Sequence, residues 1–140
     1  MIRMDRQKTI LTIENQPQNL PLLKEIVQQL PGAIEFHSLN VKELNHDNFL
    51  TIPYAPSLII LNLNLAEEEI LALIKRIKQE SNCQIVPLVV LTSHCSPDEV
   101  KNYYYYGASG ALCQPVSQSD LSTTLELMLE YWFKVVVLPY

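Results

Sequence analysis

The sequence predicts a single α/β domain: a doubly wound parallel sheet of five strands in the order 2-1-3-4-5, with helices on both faces. Three observations predict this class. The chain has 140 residues, the length of one domain. Short β-branched, apolar runs alternate with segments of helical period, as in parallel sheets covered on both faces. Only the second run alternates polar with apolar residues, as an edge strand does.

The first half of the chain supplies three predicted strands, and turn residues or polar side chains end each one. The second strand has one polar face, whereas the other two are apolar throughout. Between them the spacing of leucine and isoleucine predicts a helix that Pro31 and Gly32 end, followed later by a weak helix. In chain order these elements are strand Thr9–Ile13, helix Leu20–Leu30, strand Ala33–Leu39, weak helix Val41–Leu50 and strand Leu58–Leu61.

The second half repeats the pattern with stronger helix signals. One helix opens with three glutamates and carries Lys75, Arg76 and Lys78 late, which suits the helix dipole at both ends. The next begins at Ser96 with a capping serine, then a proline and two acids. In chain order the elements are helix Glu67–Glu80, strand Leu88–Leu91, helix Ser96–Tyr106 ending at Gly107, strand Ala111–Cys113 and a helix from about Ser117. We expect residues 1–140 to be one domain, with a core at about 8–134 and an apolar tail at 135–140.

Composition and charge exclude several functional classes. Ten Lys and Arg against fifteen Asp and Glu leave a net charge of −5, so the chain lacks the basic face that binds nucleic acid. The first eight residues carry no apolar core of a secretory signal, and no apolar run approaches the ~20 residues that cross a bilayer. We therefore expect a soluble, cytoplasmic protein that binds neither nucleic acid nor membrane.

The three cysteines, Cys83, Cys95 and Cys113, are widely spaced. A disulfide framework or a zinc site is typically signalled by pairs at short spacing, and none occurs here. His94 beside Cys95 supplies too few ligands for a metal and no partner for thiol catalysis. We expect reduced, partly buried thiols and no metal site.

In sheets of this class, functional side chains lie in a crevice at the carboxyl ends of the first and third strands. The residues that follow the strands are Glu14, Asn15 and Gln16, then Asn62, then Thr92, with Gln114 after the fifth strand. The sequence therefore predicts that these polar side chains lie together.

At this point the chain resembles the receiver domains of two-component response regulators, over essentially its whole length. The flavodoxin-like, three-layer receiver fold that this implies is the one predicted above. The ending Tyr131–Pro139 resembles the small single-domain regulators that partner cyanobacterial phytochromes. The segments that carry the receiver resemblance are Ile10–Pro17, Pro56–Leu65, Pro87–Ser93 and Gly107–Val116.

The resemblance implies a phosphorylation site, from which this sequence departs. Receivers have two acids after the first strand, an acceptor aspartate after the third, a hydroxyl after the fourth and a lysine after the fifth. Here Glu14 keeps one acid, but Asn15 replaces the second, Asn62 the acceptor and Gln114 the lysine. Only Thr92, the switch hydroxyl, matches fully. The family's aromatic switch position, three residues before the lysine, is Ala111.

These changes predict a coordinated neutralisation of the site. Clustered carboxylates repel one another unless a cation lies among them, and removing two acids and the lysine leaves one charge. We expect Mg²⁺ binding to be weak or absent, and no other cofactor. The resulting hypothesis is a pseudo-receiver that is not an enzyme and acts through protein contacts independent of phosphorylation. The resemblance implies a histidine kinase or phytochrome-like sensor as a possible partner.

Two other functions stay open from the residues. Phosphorylation could use Ser93, Thr92 or His94, although none has an evident activating base. A flavodoxin-like small-ligand binder is the other, although the turn Glu14–Pro17 offers no phosphate cradle.

Two further expectations concern the peptide bond before Pro115 and self-association of the chain. The resemblance implies a cis bond before Pro115. We also expect a homodimer, because four tyrosines in succession cannot all face one core and an apolar tail needs cover. The residues expected at or near its interface are Tyr103, Tyr104, Tyr105, Tyr106, Trp132, Val136 and Leu138.

Overall fold

The computed structural model describes residues 7–44 and 52–140, which form a five-stranded parallel sheet with α-helices on both faces. Its strands and helices alternate as predicted, except between the second and third strands. In chain order the elements are β1 Lys8–Glu14, α1 Leu20–Gln28, β2 Ile34–Asn40, β3 Leu58–Asn62, α2 Glu67–Lys78, β4 Leu88–Thr92, α3 Pro97–Tyr106, β5 Gly110–Cys113 and α4 Gln118–Glu130.

The strand order is β2-β1-β3-β4-β5, as the sequence predicted. All four pairings are parallel, so the carboxyl ends of the strands meet at one edge of the sheet. The register places Glu14 beside Asn40 on one side and beside Asn62 on the other. Thr92 lies beside Cys113. The predicted crevice therefore exists as a continuous line of strand ends.

The sheet separates two apolar cores, because successive side chains of a strand point to opposite faces. Helices α2 and α3 pack together over one face, and α1 packs against α4 over the other. The strands β3 and β4 are buried along their whole length, which explains their uninterrupted apolar sequences. Fully buried residues of the first core include Leu11, Ile13, Ile59, Leu61, Ile74 and Tyr103, and those of the second include Ile10, Leu23, Leu58, Ile60 and Leu125.

The start and end of α3 follow its predicted signals. Ser96 Oγ accepts a hydrogen bond from the Glu99 N–H at 3.2 Å, and Glu99 Oε1 accepts one from the Ser96 N–H at 3.0 Å. This reciprocal capping box holds the pKa of the Glu99 carboxyl below its usual range, chiefly through the hydrogen bond to the Ser96 backbone. The helix ends at Gly107, whose φ of +123° lies in the region that favours glycine.

The helix predicted over Val41–Leu50 is wrong where the structure describes it. A single 3₁₀ turn spans Val41–Glu43 and Leu44 is extended, while residues 45–51 lie outside the described residues. Asn40 explains the short turn: its side chain accepts from the Lys42 N–H at 2.9 Å, while Glu43 accepts from the Asn40 N–H at 3.2 Å. The last helix, by contrast, is extended by a π turn over Tyr131–Val135.

The expected cis bond before Pro115 is also wrong. Every peptide bond that the structure describes is trans, including Gln114–Pro115. Trans is the preferred form of such bonds by about 0.5–1 kcal/mol. The alignment with the fourth strand holds up to this point, since the Gln114 N–H donates to the Thr92 carbonyl at 2.9 Å. Beyond it the chain turns outward, leaving Val116 fully exposed.

The edge strand β2 has half-buried positions alternating with exposed ones over its first four residues. Two of its exposed side chains interact, with Glu35 Oε2 lying 3.2 Å from His37 Nε2. The His37 ring stacks on Tyr54 at a centroid distance of 5.0 Å. Within the described residues, no helix is both long enough and apolar enough to cross a membrane.

Candidate functional site

The predicted crevice residues lie at the carboxyl ends of β1, β3, β4 and β5. Three of them, Glu14, Asn62 and Thr92, are the last residues of their strands, and Gln114 follows β5 directly. Asn62 and Thr92 are completely buried, and Glu14 is almost so. The site is therefore a line of enclosed polar groups rather than an open acidic pocket.

Asn62, at the position of the family's acceptor, uses both ends of its amide in hydrogen bonds. Its Oδ1 accepts from Asn19 Nδ2 at 3.0 Å and from Gln16 Nε2 at 3.3 Å. Its Nδ2 donates to the Gln16 carbonyl at 3.2 Å. Both partners are themselves buried, so the three side chains form a closed amide cluster.

The turn after β1 supplies these partners. Residues Pro17–Asn19 form a 3₁₀ turn that leads into α1, and the Asn19 N–H bonds the Gln16 carbonyl at 3.1 Å. Proline at the first position fits this turn because its missing N–H needs no partner there. The turn directs the Gln16 and Asn19 side chains onto Asn62.

Asn15, at the position of the second acid, joins two loops instead of opening toward a cation. Its Oδ1 accepts from the Asn64 N–H at 2.8 Å, and its Nδ2 donates to the Asn64 carbonyl at 3.3 Å. Asn64 Oδ1 in turn accepts from the Ser93 hydroxyl at 2.9 Å. The loops after β1, β3 and β4 are thus connected by amide and hydroxyl groups.

Glu14 is the remaining carboxylate of the crevice. Its Oε1 accepts from Asn40 Nδ2 at 3.4 Å, and its buried Oε2 has no hydrogen-bond partner among the described residues. In the part of the chain that the structure describes, no three His, Cys, Asp or Glu side chains are grouped to hold a metal ion. Mg²⁺ prefers carboxylate oxygens as its protein ligands. The other two acid positions of the crevice hold Asn15 and Asn62, whose amide oxygens already accept hydrogen bonds.

On the β4–β5 side of the crevice, fewer of the polar side-chain atoms have hydrogen-bond partners than on the β1–β3 side. Thr92 Oγ1 accepts from the His94 N–H at 3.3 Å. The Gln114 side chain has a buried Oε1 without a partner in the described structure. Ala111 is half-buried in β5 and leaves no aromatic ring at the switch position. His94 Nδ1 lies 3.8 Å from Glu99 Oε2, at the start of α3.

The residues expected at a homodimer interface divide into buried and exposed groups. Tyr103 is completely buried, and its hydroxyl donates to the His94 carbonyl at 2.8 Å, so its place in the interface is wrong. Leu138 is likewise wrong, because the chain's own core buries it when the tail folds back. Tyr104, Tyr105 and Tyr106 are exposed, and Trp132 and Val136 are half-buried.

Gln16 was predicted to lie in the crevice, but the hydrogen bonds that Gln16 and Asn19 make with Asn62 were not predicted. Both residues carry amide side chains within five positions of the end of β1, and this is the signal that could have revealed them. Asn40 was missed because its approach to Glu14 depends on the exact register of β2.

Comparison with known proteins supports a receiver resemblance. No protein-family model matches the sequence. A probable methanogenesis regulatory protein, FilR2 of Methanothrix harundinacea, is 31% identical over 77 residues, which are 55% of this chain and 50% of that protein. Response regulator Rcp1 of Synechocystis is 30% identical over 84 residues, 60% of this chain and 57% of Rcp1. The match thus spans little more than half the length of these curated relatives.

Solved structures match over nearly the whole chain. The Mn²⁺-bound form of Rcp1 superposes with a TM-score of 0.76 at 24% identity, covering 95% of this chain and 99% of that one. The phosphorylated cyanobacterial phytochrome response regulator RcpA gives 0.78 at 19% identity, covering 96% and 100%. The chemotaxis response regulator CheY4 of Vibrio cholerae gives 0.67 at 16% identity, covering 91% and 99%. The resemblance to receiver domains is confirmed, and the chain has their fold.

Proposed function

We propose that this chain, which has the fold of response regulator receiver domains, is a pseudo-receiver. It takes part in two-component signalling through protein contacts and accepts no phosphoryl group at the usual position. The observation that carries the proposal is that Gln16 and Asn19 hydrogen-bond both the oxygen and the nitrogen of the Asn62 amide.

The chemistry of Asn62 supports this proposal. Phosphoryl transfer to a receiver needs an anionic oxygen as nucleophile, and an amide has none. Here the amide oxygen also accepts two hydrogen bonds from buried side chains, and the residue is inaccessible to solvent. A phosphodonor would have to break the hydrogen bonds of Asn62 to Gln16 and Asn19 to reach this position, and the amide that it then contacted would not react.

The donor set for a cation supports it as well. The relative Rcp1 was solved with Mn²⁺, but the residues here do not fit a divalent ion of that kind. One carboxylate, Glu14, remains in the crevice, and the Asn15 oxygen is used by the Asn64 N–H at 2.8 Å. Mg²⁺ dehydrates reluctantly and takes carboxylates as its protein ligands, so one acid gives weak binding at most.

The two alternative functions have less support. The Thr92 hydroxyl is buried, and the Ser93 hydroxyl already donates to Asn64. Neither of them has a hydrogen-bonded base in the described structure, as an activated nucleophile requires. A cavity of about 780 Å³ lies far from the crevice, between the start of β1, the loop before β2 and the C-terminal tail. It lies at the amino ends of the strands, opposite the switch point where flavodoxin-like ligands bind.

Intact-mass analysis tests the proposal. The folded chain is incubated with Mg²⁺ and acetyl phosphate, and separately with beryllofluoride. We expect no added phosphoryl mass and no stable adduct, because the acceptor position holds Asn62. An authentic receiver treated in parallel shows that the donor is active, and a phosphoryl group found on any side chain of the folded chain contradicts the proposal.

The partners of a pseudo-receiver follow from its surface. A histidine kinase or phytochrome-like sensor is the partner class that the fold suggests, and a second copy of this chain is the other. Tyr104, Tyr105 and Tyr106 form an exposed aromatic patch on α3, with Tyr105 87% exposed. Aromatic side chains are enriched at the centres of protein interfaces, which supports docking there.

Sedimentation at micromolar concentration tests self-association. We expect a dimer that Tyr105→Ser weakens. Ile85→Ser is the matched control, because Ile85 is also a bare apolar side chain but lies in the loop before β4. A monomeric parent, or equal weakening by both variants, contradicts an interface at α3.

A further inference from the structure

Two of the three cysteines meet at the carboxyl ends of β4 and β5. Cys113 ends β5 and is paired with Thr92, the last residue of β4. Cys95 follows Thr92 by three residues, and its Sγ lies 3.2 Å from the Thr92 carbonyl oxygen. The Gln114 N–H, directly after Cys113, donates to the same oxygen at 2.9 Å.

This shared oxygen brings the two thiols together. Cys95 reaches it through its side chain, and the peptide that follows Cys113 reaches it from β5. Cys113 is paired across the sheet with Thr92, the residue whose carbonyl the Cys95 side chain contacts, so the two cysteines are neighbours. Two cysteines that lie against the same residue on neighbouring segments meet the first condition for a disulfide, which is closeness of their backbones.

The environments of the cysteines assign different roles to them. Cys113 is exposed, whereas Cys95 is half-buried. Burial, followed by the hydrogen bond to Cys113, raises the pKa of the Cys95 thiol to about 12. Cys83 is completely buried, and burial raises its pKa to about 11. An oxidant from solvent therefore reaches Cys113 first, and Cys83 is protected.

We infer that Cys95 and Cys113 are a redox-modification site that closes reversibly to an intramolecular disulfide. The oxidant is a small disulfide of the glutathione class. The Cys113 thiolate attacks one of its sulfurs, forming a mixed disulfide and expelling one glutathione thiolate. Cys95, which its raised pKa keeps mostly protonated, then attacks the Cys113 sulfur through its thiolate form and expels the second glutathione thiolate. The protein loses two thiol hydrogens and two electrons, and the two glutathiones take them up.

The disulfide would connect β5 with the helix that carries the proposed docking surface, and this consequence rests on the proposed function. Ser96, which caps α3, directly follows Cys95, so the disulfide ties the start of α3 to the end of β5. Helix α3 carries the exposed tyrosines at its other end. Oxidation thereby restrains the helix that presents the aromatic patch, without any chemistry at Asn62. This role is independent of the proposed loss of phosphorylation.

Thiol counting and peptide mapping test the inference on the full chain. The reduced protein is incubated with oxidised glutathione at about pH 8, where thiolates are more abundant than at neutral pH. We expect the intact mass to fall by two hydrogen atoms, the free thiols to drop from three to one, and the mapped peptides to link Cys95 with Cys113. Addition of dithiothreitol should restore all three thiols.

Single substitutions sharpen the test. Cys95→Ser should stop the reaction with one glutathione held on Cys113, whereas Cys83→Ser should leave ring closure unchanged. A stable glutathione adduct on the parent chain, a link that includes Cys83, or a bond between two chains would each overturn the inference. The map of the parent chain decides the matter even where a variant fails to fold.

Discussion

The two halves of the crevice differ in how completely their polar groups are bonded. On the β1–β3 side, Asn62, Gln16 and Asn19 satisfy one another in a buried cluster. On the β4–β5 side, Gln114 has a buried oxygen without a partner in the described structure, and Cys95 and Cys113 lie against Thr92. The first half has become structural, whereas the second retains groups that can react.

The difference shows that a buried amide has different consequences at different positions. Asn62 supplies both a donor and an acceptor, and the neighbouring groups use both. Gln114 supplies a buried oxygen that meets no donor in the described structure. Amide substitution therefore stabilises a buried site only where complementary groups surround it.

The largest effect is expected for phosphotransfer. Asn62→Asp alone should not restore labelling by acetyl phosphate, because the metal still lacks the acid replaced by Asn15 and the phosphoryl charge still lacks a lysine. The triple variant Asn15→Asp, Asn62→Asp, Gln114→Lys should be labelled at least about a hundredfold faster, since catalytic groups that act as a unit are not additive. Autoradiography or intact mass measures both. Similar rates for the single and triple variants would show that Asn62 alone prevents labelling and that Asn15 and Gln114 do not contribute.

The next effect concerns the free energy of unfolding. Asn62→Leu removes the hydrogen-bond acceptor of the Gln16 and Asn19 side-chain amides, both buried, and leaves the Gln16 carbonyl with the Asn19 N–H alone. Each buried polar group left unpaired costs about 1–3 kcal/mol, so we expect a total loss of roughly 3 kcal/mol. Urea unfolding followed by circular dichroism measures it. A loss under about 1 kcal/mol would mean that the cluster contributes little.

A smaller effect is expected at Tyr103, which supports the β4–β5 half through the His94 carbonyl. Tyr103→Phe removes one hydrogen bond and should lower the free energy of unfolding by about 1 kcal/mol. Burial, followed by the charge of Glu99, raises the pKa of Tyr103 to about 12.

The raised pKa gives this prediction a pH signature. Unfolded tyrosine ionises near pH 10, so the stability from neutral Tyr103 is fully present below about pH 10 and is lost as the pH rises toward 12. Unfolding measured across this range should show a shallower decline for Tyr103→Phe than for the parent chain. Parallel declines would contradict the role given to this hydroxyl.

The smallest effect is expected at Gln114. Its side-chain oxygen is already buried and unpaired in the described structure, so Gln114→Leu removes no hydrogen bond of that oxygen and should not lower the free energy of unfolding. The same urea titration serves as the matched comparison with Asn62→Leu. Equal losses from both substitutions would remove the distinction between the two halves.

Much of the fold could be predicted because the burial of each strand is reflected in the pattern of apolar and polar residues along that strand. The buried runs of β3 and β4 and the half-exposed β2 gave the strand order, and the strand ends gave the crevice. The rotation of about 100° per residue required some of the four tyrosines to face inward, although only the structure shows that Tyr103 does so.

The rest depends on contacts between distant residues. Asn19 contacts Asn62, which is 43 positions away in the sequence, and Cys95 and Cys113 both lie against Thr92. Neither contact is signalled by a pattern of neighbouring residues in the sequence. The trans bond at Pro115 differs from the family pattern, and the burial of Leu138 depends on the path of the tail. Neither the resemblance to a family nor the spacing of residues shows the isomer of the Pro115 bond or the path of the tail in this chain.

The charged edge of the sheet has a consequence for aggregation. A seven-residue strand at the border of a sheet, such as β2, is a template on which a second chain can add a strand. Glu35 and His37 point outward there as a pair, so a second copy joining this border would have to strip water from both. At the opposite border, β5 is only four residues long and offers little to pair with. We therefore expect little fibrous self-assembly, because polar side chains oppose strand addition at β2 and the short length of β5 opposes it at the other border.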